Sequence, residues 1–432
     1  MRFLSFVTGF ELLALTGPVS AFCGFYVARA DGELFNKSSK VIYARVNERS
    51  TITMSSDYRG EAAEFAMIVP TPSVLERSQV STVKTATVDH LDGYTAPRLV
   101  EYFDYDPCGG MAPVVVEEVP VIEERPGGQT KQERRDGAKA LGVKIEREYA
   151  VGSYDILMLS AKQSDGLVTW LTQEGYKLPN GAEDALAGYV KMGMKFFVAK
   201  VNLERHSAAA KQELEPLQIS FTSKDFMLPI QLGKVNADGP QDLLIMMLTK
   251  KGRVEIANYA TKEIPTDVNV PVFVQQVFPQ FYRDMFTKAV GDHGAALEYA
   301  WDMGWCDPCA ADPLSFGEFR ELGVSWVTKA NADVPPVYVT RLHVRYTRNS
   351  MEQDLMFRET DNRENFQGRY VMNHPYDGEI TCDWSKDENA RQYLAETRKR
   401  LKDEGAELRQ LTGWGIKTIM ANIAKTVPAR YR

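Results

Sequence analysis

The densest chemistry in the chain lies at Trp305-Cys306-Asp307-Pro308-Cys309. Two thiols this close can close a disulfide, pass electrons through one, or supply half of a zinc site. Redox work needs the first thiol as a thiolate, which takes a helix N-terminus or a nearby cation to lower its pKa. Cys306 would then attack and Cys309 would resolve. The surroundings oppose this. Asp307 puts a negative charge beside Cys306, which raises a thiol pKa, and Pro313 interrupts any helix four residues past Cys309. Zinc needs four ligands, commonly a second cysteine pair or spaced histidines. His90, His206, His293, His343 and His374 are scattered, with no two at ligand spacing. The expectation is a structural cysteine pair with no metal and no cofactor. A thiol–disulfide oxidoreductase using Cys306 and Cys309 is the alternative.

The Trp-Cys-x-Pro-Cys pattern resembles the thioredoxin active site. A thioredoxin domain continues with strand, helix and a proline-led strand, whereas one short helix separates Cys309 from Pro335-Pro336. The remaining cysteines are Cys23, Cys108 and Cys382, so five thiols allow two bonds and one leftover. Cys23, Cys108, Cys306 and Cys309 are the disulfide candidates. A Cys23–Cys108 bridge would close roughly 85 residues and contribute about 4 kcal/mol in the entropic treatment. Joining Cys108 to Cys306 or Cys309 would instead clamp the two halves of the chain. Spacing does not choose between them.

Three other clusters bear charge. Asp89-His90-Leu91-Asp92 sets carboxylates beside an imidazole, an arrangement that can orient a histidine for acid/base work. No serine or cysteine stands at a spacing that makes it the nucleophile, so a hydrogen-bonded structural histidine is expected. Arg341, His343 and Arg345 fall on one face of a strand by the period of two, with Leu342, Val344 and Tyr346 on the core face. Three such groups about 7 Å apart could hold a small anion, a carboxylate or phosphate. The competing reading is a solvated face paired with Asp and Glu from neighbouring strands. Asp238-Gly239-Pro240-Gln241-Asp242 is a turn by composition, with too few oxygens for calcium. Nucleotide loops, nucleophile elbows and zinc-protease helices have no match.

The elements that must position these groups follow a leader. Arg2 precedes the apolar run Phe3–Gly17 and the break Pro18-Val19-Ser20-Ala21, the layout of a secretory signal peptide with small side chains at −3 and −1. Cleavage after Ala21 would leave Phe22 at the N-terminus. Phe22 ahead of Cys23, where a small residue is needed, argues against a lipoprotein signal, and the run, interrupted by Glu11, is shorter than the about 20 apolar residues a span requires. Export places the thiols in an oxidising compartment, periplasmic or secreted. The formal charge of −7 and the lack of a basic run argue against nucleic acid as a partner. No later stretch reaches membrane-spanning length.

After the leader, a β-rich part is expected over 22–118. It holds a hairpin, Val41–Val46 and Ser50–Met54, and strands at Glu64–Val69 (stopped by Pro70 and Pro72) and Leu99–Phe103. Residues 119–148 read as a charged loop or linker. An α+β central domain over 149–382 has strands at Tyr154–Ser160, Lys195–Val201, Leu217–Thr222, Leu243–Thr249, Arg253–Tyr259, Ala296–Trp301 and Val337–Tyr346. Its helices are Gly166–Glu174, Glu183–Met192, Val277–Val290 and Leu314–Leu322. A helical segment over 383–432 carries Lys386–Leu411 and Ile416–Ile423. The fold class is α+β, antiparallel sheets with packed helices. Phe65-Ala-Met-Ile-Val-Pro70 and Phe226-Met-Leu-Pro-Ile230 share a pattern too short to be a duplication.

The stretches AFCGFYVARADGELFNKSSKVIYAR, EFAMIVPTP, GSYDILMLSAKQSDGLVTWL, VNADGPQDLLIMMLTKKGRVE, CDPCAADPLS and VTRLHVRY resemble the bacterial domain-of-unknown-function family 2330. The resemblance runs in order from about residue 21 to 370. It implies an exported bacterial protein with no established activity, cofactor or catalytic residue, so no functional residue carries over. The expected role is a non-enzymatic binding or scaffolding component of the cell envelope, partnered by an envelope protein or a small anion.

Overall fold

The computed structural model of the protein describes residues 25–29, 36–58, 65–108, 141–202, 205–206, 214–235, 237, 239–305, 307, 312–379 and 381–431. The leader, Cys23, the 119–138 stretch, Asp238, Cys306 and Cys309 lie outside the described residues.

The protein is α+β. Its organising hairpin joins β2 (Asn36–Val46) to β3 (Arg49–Tyr58) through Asn47-Glu48, with Asn47 in the left-handed region at φ +54°. Asparagine tolerates that conformation better than most side chains. On β2, Val41 and Tyr43 face one core while Ile42 and Ala44 face another, so the strand is buried on both sides. It lies inside a nine-stranded sheet. The order is β15 (Thr261–Glu263), β17 (Gly294–Asp302), β18 (Tyr338–Tyr346), β13 (Gln241–Thr249), β2, β3, β11 (Leu217–Thr222) and β5 (Val80–Thr82), with β20 (Phe366–Gln367) beside β17. Among the described residues, β13–β2 and β15–β17 are the parallel pairs of this sheet. A six-stranded antiparallel sheet runs β7 (Val143–Val151), β8 (Tyr154–Ala161), β10 (Lys195–Val201), β4 (Phe65–Thr71), β1 (Phe25–Arg29) and β9 (Tyr176–Lys177).

The two sheets share one core. Val41, Ile245 and Leu342 of the larger meet Met67, Ile156 and Phe197 of the smaller. Each outer face needs its own cover. Ile68, Leu157 and Phe196 lie under α2 (Ser164–Gln173) and α3 (Ala182–Lys191). Each of these helices stops at a left-handed glycine, Gly175 and Gly193. On the larger sheet, Ile42, Met246 and Val339 lie under Val88, Leu91 and Tyr94 of α1 (Thr85–Thr95) and Phe319 of α6 (Phe316–Glu321). Short α4 (Gln231–Val235) is capped by the Asp354 carboxylate, which accepts from the Ile230 amide at 2.8 Å. Strands from residues 22–118 and 149–382 alternate within the sheets. Among the described residues no helix is long and apolar enough to cross a membrane.

Two three-stranded sheets complete the fold: β12 (Met227–Leu228), β19 (Leu355–Glu359), β14 (Val254–Ile256); and β16 (Val268–Asn269), β21 (Arg369–His374), β6 (Arg98–Phe103). On the second, Tyr370 and Met372 pack against α5 (Phe278–Val290), α7 (Glu388–Thr412) and α8 (Ile416–Thr426).

The structure corrects several sequence expectations. β4 continues through Pro70 to Thr71. Among the described residues its pairing with β1 runs to Ile68, and Pro70 itself lies opposite Phe196 of β10, so the proline is taken into the edge of the strand rather than ending it. The Arg253–Tyr259 strand is shortened to β14, and β7 and α1 were not anticipated. Cys108 is bonded to Cys382, the cysteine left out of the candidate pairings, with Cα atoms 5.7 Å apart. Parallel pairing explains this. β6 and β21 leave their sheet at the same end, so the chain following Phe103 and the chain following His374 emerge side by side.

One buried group works against this packing. Glu404 of α7 is 2 % exposed, and neither carboxylate oxygen accepts a hydrogen bond among the described residues; Arg400 Nε stands 3.7 Å away. Burial pushes its pKa up to about 8, against the pull of Arg400 and with the help of nearby Asp104, Glu407 and Asp403. The folded protein therefore holds a proton that the unfolded chain releases, and stability drops as pH climbs from the ordinary glutamate range through about 8. Glu404→Gln is expected to match wild type in urea denaturation at pH 5. At pH 9 it should exceed wild type by up to about 4 kcal/mol. Equal stability at both values would refute the assignment.

Candidate functional site

The charged groups converge on the outer face of β17 and β18. Leu297 pairs with Leu342 and Tyr299 with Arg341, so Glu298 is the extra residue of a β-bulge. Bulges re-aim side chains. Here the Glu298 carboxylate is turned onto the cationic row of β18. Arg341 Nε donates to Oε2 at 2.6 Å, His343 Nδ1 lies 2.6 Å from Oε1, and the Tyr282 hydroxyl of α5 donates to Oε1.

The network extends both ways. Arg341 Nη1 reaches Asp92 Oδ1 on α1 at 2.5 Å, and Lys40 Nζ sits 2.8 Å from the other Asp92 oxygen and 3.1 Å from Asp89. Arg345 forks onto Asp242 at 2.7 and 2.9 Å and donates to Thr287 Oγ1 at 2.8 Å. His343 Nε2 is 3.0 Å from Asp242 Oδ1, a charge contact off the line of a good hydrogen bond. The imidazole stacks on Phe286, ring centres 3.8 Å apart.

Carboxylates flank both ring nitrogens of His343, which calls for both protons. With His343 charged, four cations (Lys40, Arg341, His343, Arg345) meet four carboxylates (Asp89, Asp92, Glu298, Asp242). Burial alone would raise the Glu298 pKa, but the His343 and Arg341 charges hold it down to about 2. Burial likewise disfavours imidazolium, yet Glu298 and Asp242 leave the His343 pKa above its ordinary value.

Periodicity placed Arg341, His343 and Arg345 on one face, and they share it. It could not show that α1 and α5 cover that face, so that all nine residues of β18 are buried. The anions that hold these cations belong to the chain itself. An external phosphate or carboxylate would have to displace Glu298, Asp92 or Asp242. Asp242 lies in β13 rather than in an open turn.

The other candidates are also tied into the structure. His90 on α1 sets Nδ1 2.6 Å from Glu318 and Nε2 2.8 Å from the Asp312 carbonyl. Burial opposes protonation there, but Glu318 raises the pKa. This joins α1 to the Ser315 cap of α6, and no hydroxyl or thiol nucleophile bonds to the ring among the described residues. Asp307 is buried and accepts from Tyr299 Oη at 3.0 Å and Gln367 Nε2 at 2.6 Å, while Trp305 is exposed.

A concavity among the described residues lies on the opposite side of the larger sheet. A cavity of about 210 Å³ opens between Ile52 and Met54 of β3, Val69 and Pro70 of β4, and Ile219 and Phe221 of β11. Met192, Met194 and Met227 close it, and Ser223 and Asp225 are its polar side chains. Sequence reading missed these residues, because lining a pocket leaves no charge pattern. A signal did exist: the two similar segments ending near Pro70 and Pro229 both contribute walls.

Glu298→Gln leaves two buried cations with a neutral partner and is expected to cost about 3–5 kcal/mol by urea denaturation. The His343 pKa is raised in the folded state, so its stabilisation is complete below the unfolded value near 6.5 and fades as pH rises through the folded value. His343→Gln is expected to flatten that alkaline decline. An unchanged slope would show that His343 is not the titrating group.

The family model described as an uncharacterized protein conserved in bacteria (DUF2330) matches residues 17–358, and the chain belongs to that family. Neither the curated proteins nor the solved structures contain a match.

Proposed function

We propose that this member of the bacterial family is an exported envelope protein that acts by binding rather than by catalysis, with the apolar cavity as its ligand site. The cavity carries the reading. It combines a mostly apolar set of lining side chains with two polar ones, Ser223 and Asp225, the usual composition of a small-molecule site. Its methionines are flexible and polarizable, which suits an adaptable contact surface. The titratable groups that would serve catalysis pair instead with one another: Glu298 with Arg341 and His343, and His90 with Glu318. Export is supported by the leader and by the Cys108–Cys382 bond, since disulfides persist in oxidising compartments.

An environment-sensitive naphthylamine probe is expected to brighten on binding wild type. Affinity should fall at least about tenfold in Met192→Glu, because a carboxylate at the rim resists desolvation. Met192 is 58 % exposed, so the thermal midpoint should stay within about 2 °C of wild type. Identical titrations would remove the cavity from consideration. Protein recovered from its native compartment is expected to begin at Phe22, by intact mass. Insulin reduction is expected to run equally with wild type and Cys306→Ser.

A further inference from the structure

One wall of the cavity is made of chain without regular structure. Ser223 and Asp225 line it from the segment 223–226, which we call its lip, and Met227 begins β12 just beyond. A free lip would give way around any ligand. This one is held from behind by Arg45 of β2, 7 % exposed. Arg45 Nη2 donates to the carbonyls of Ser223 at 2.9 Å and Lys224 at 3.2 Å, and Nη1 to that of Asp225 at 3.4 Å. The guanidinium lies 4.8 Å from the centre of the Phe226 ring. Ser50 aims the fork, its hydroxyl accepting from Nη1 at 2.7 Å. Three successive carbonyls thus turn toward Arg45 rather than toward a ligand.

Resting on the cavity as ligand site, we infer that Arg45 is a positioning residue that sets the cavity's size limit, and that the ligand presents a compact apolar ring system of at most two fused rings. A cavity near 150 Å³ takes benzene, and about 210 Å³ therefore has room for roughly one more fused ring. Two linked, unfused rings either displace the lip or leave the second ring outside in water. The lip cannot move without breaking the contacts to a buried guanidinium, whose charge-assisted hydrogen bonds are among the stronger ones. Lysine keeps the charge but offers no planar fork that spans three carbonyls.

Phenol, 2-naphthol and 4-phenylphenol form a size series with one hydroxyl each, and calorimetric titration gives their affinities. Wild type is expected to bind 2-naphthol at least about tenfold more tightly than 4-phenylphenol. Arg45→Lys should bring that ratio within about threefold while phenol affinity stays the same. A general loss of structure would weaken all three ligands together, so the ratio separates size control from stability. Should Arg45→Lys fail to fold, Ser50→Ala, which removes only the aiming hydroxyl, is expected to lower the ratio in the same direction. An unchanged ratio in a folded variant, or no size preference in wild type, overturns the role of Arg45 alone. No binding of any of the three to wild type overturns the cavity reading itself.

Discussion

Three cationic side chains on one face of β18 can be buried only because a carboxylate is buried with them. Arg341, His343 and Arg345 lie under two helices, out of reach of bulk water. An unpaired charge in such a place costs far more than a domain's net stability. Glu298 answers two of them, and a bulge brings it there. The same network docks the covering helices, through Asp92 on α1 and through Tyr282 and Thr287 on α5. Buried ion sets of this kind are often matched in stability by well-packed apolar groups. What the ions add is position, because α1 and α5 meet their partners in one register.

That use of charge bears on function. Acidic and basic groups lying within hydrogen-bond distance invite a catalytic reading, and perturbed pKa values usually strengthen it. Here the perturbations have structural causes. Glu298 is held ionised by its cations, and His343 is held protonated by its carboxylates. Both are closed off beneath helices rather than open to a cleft. The cavity on the other side of the sheet has the reverse character, open at its rim and nearly free of charge. Scaffold and site are divided between the two faces of one sheet, and β2 serves both. Its Lys40 joins the network while Arg45, farther along, braces the lip of the cavity.

Much of the fold was legible. Lys195–Val201 and Leu217–Thr222 were read at their observed bounds, because β-branched and aromatic runs bounded by polar residues need little context. Gly175 and Gly193 marked two helix ends because the required backbone conformation suits little else. Pro70 misled, since its cost depends on whether a neighbouring strand needs its missing N–H, which is a property of the sheet. The helix over Thr85–Thr95 was overlooked. Its Thr, Asp and Gly residues weaken the local signal, and Val88, Leu91 and Tyr94 are fixed by packing.

The sequence by itself determined the class of fold, the alternation that put Arg341, His343 and Arg345 on one face, and the likeness to a bacterial family. These are local or cumulative properties, carried by residue type and short spacing. Tertiary structure alone decided which face of β18 is covered, where the bulge turns Glu298, that Cys108 meets Cys382, and that residues from β3, β4 and β11 enclose a cavity. Each depends on segments tens to hundreds of residues apart, and short-range periodicity carries no information about which distant segments will meet.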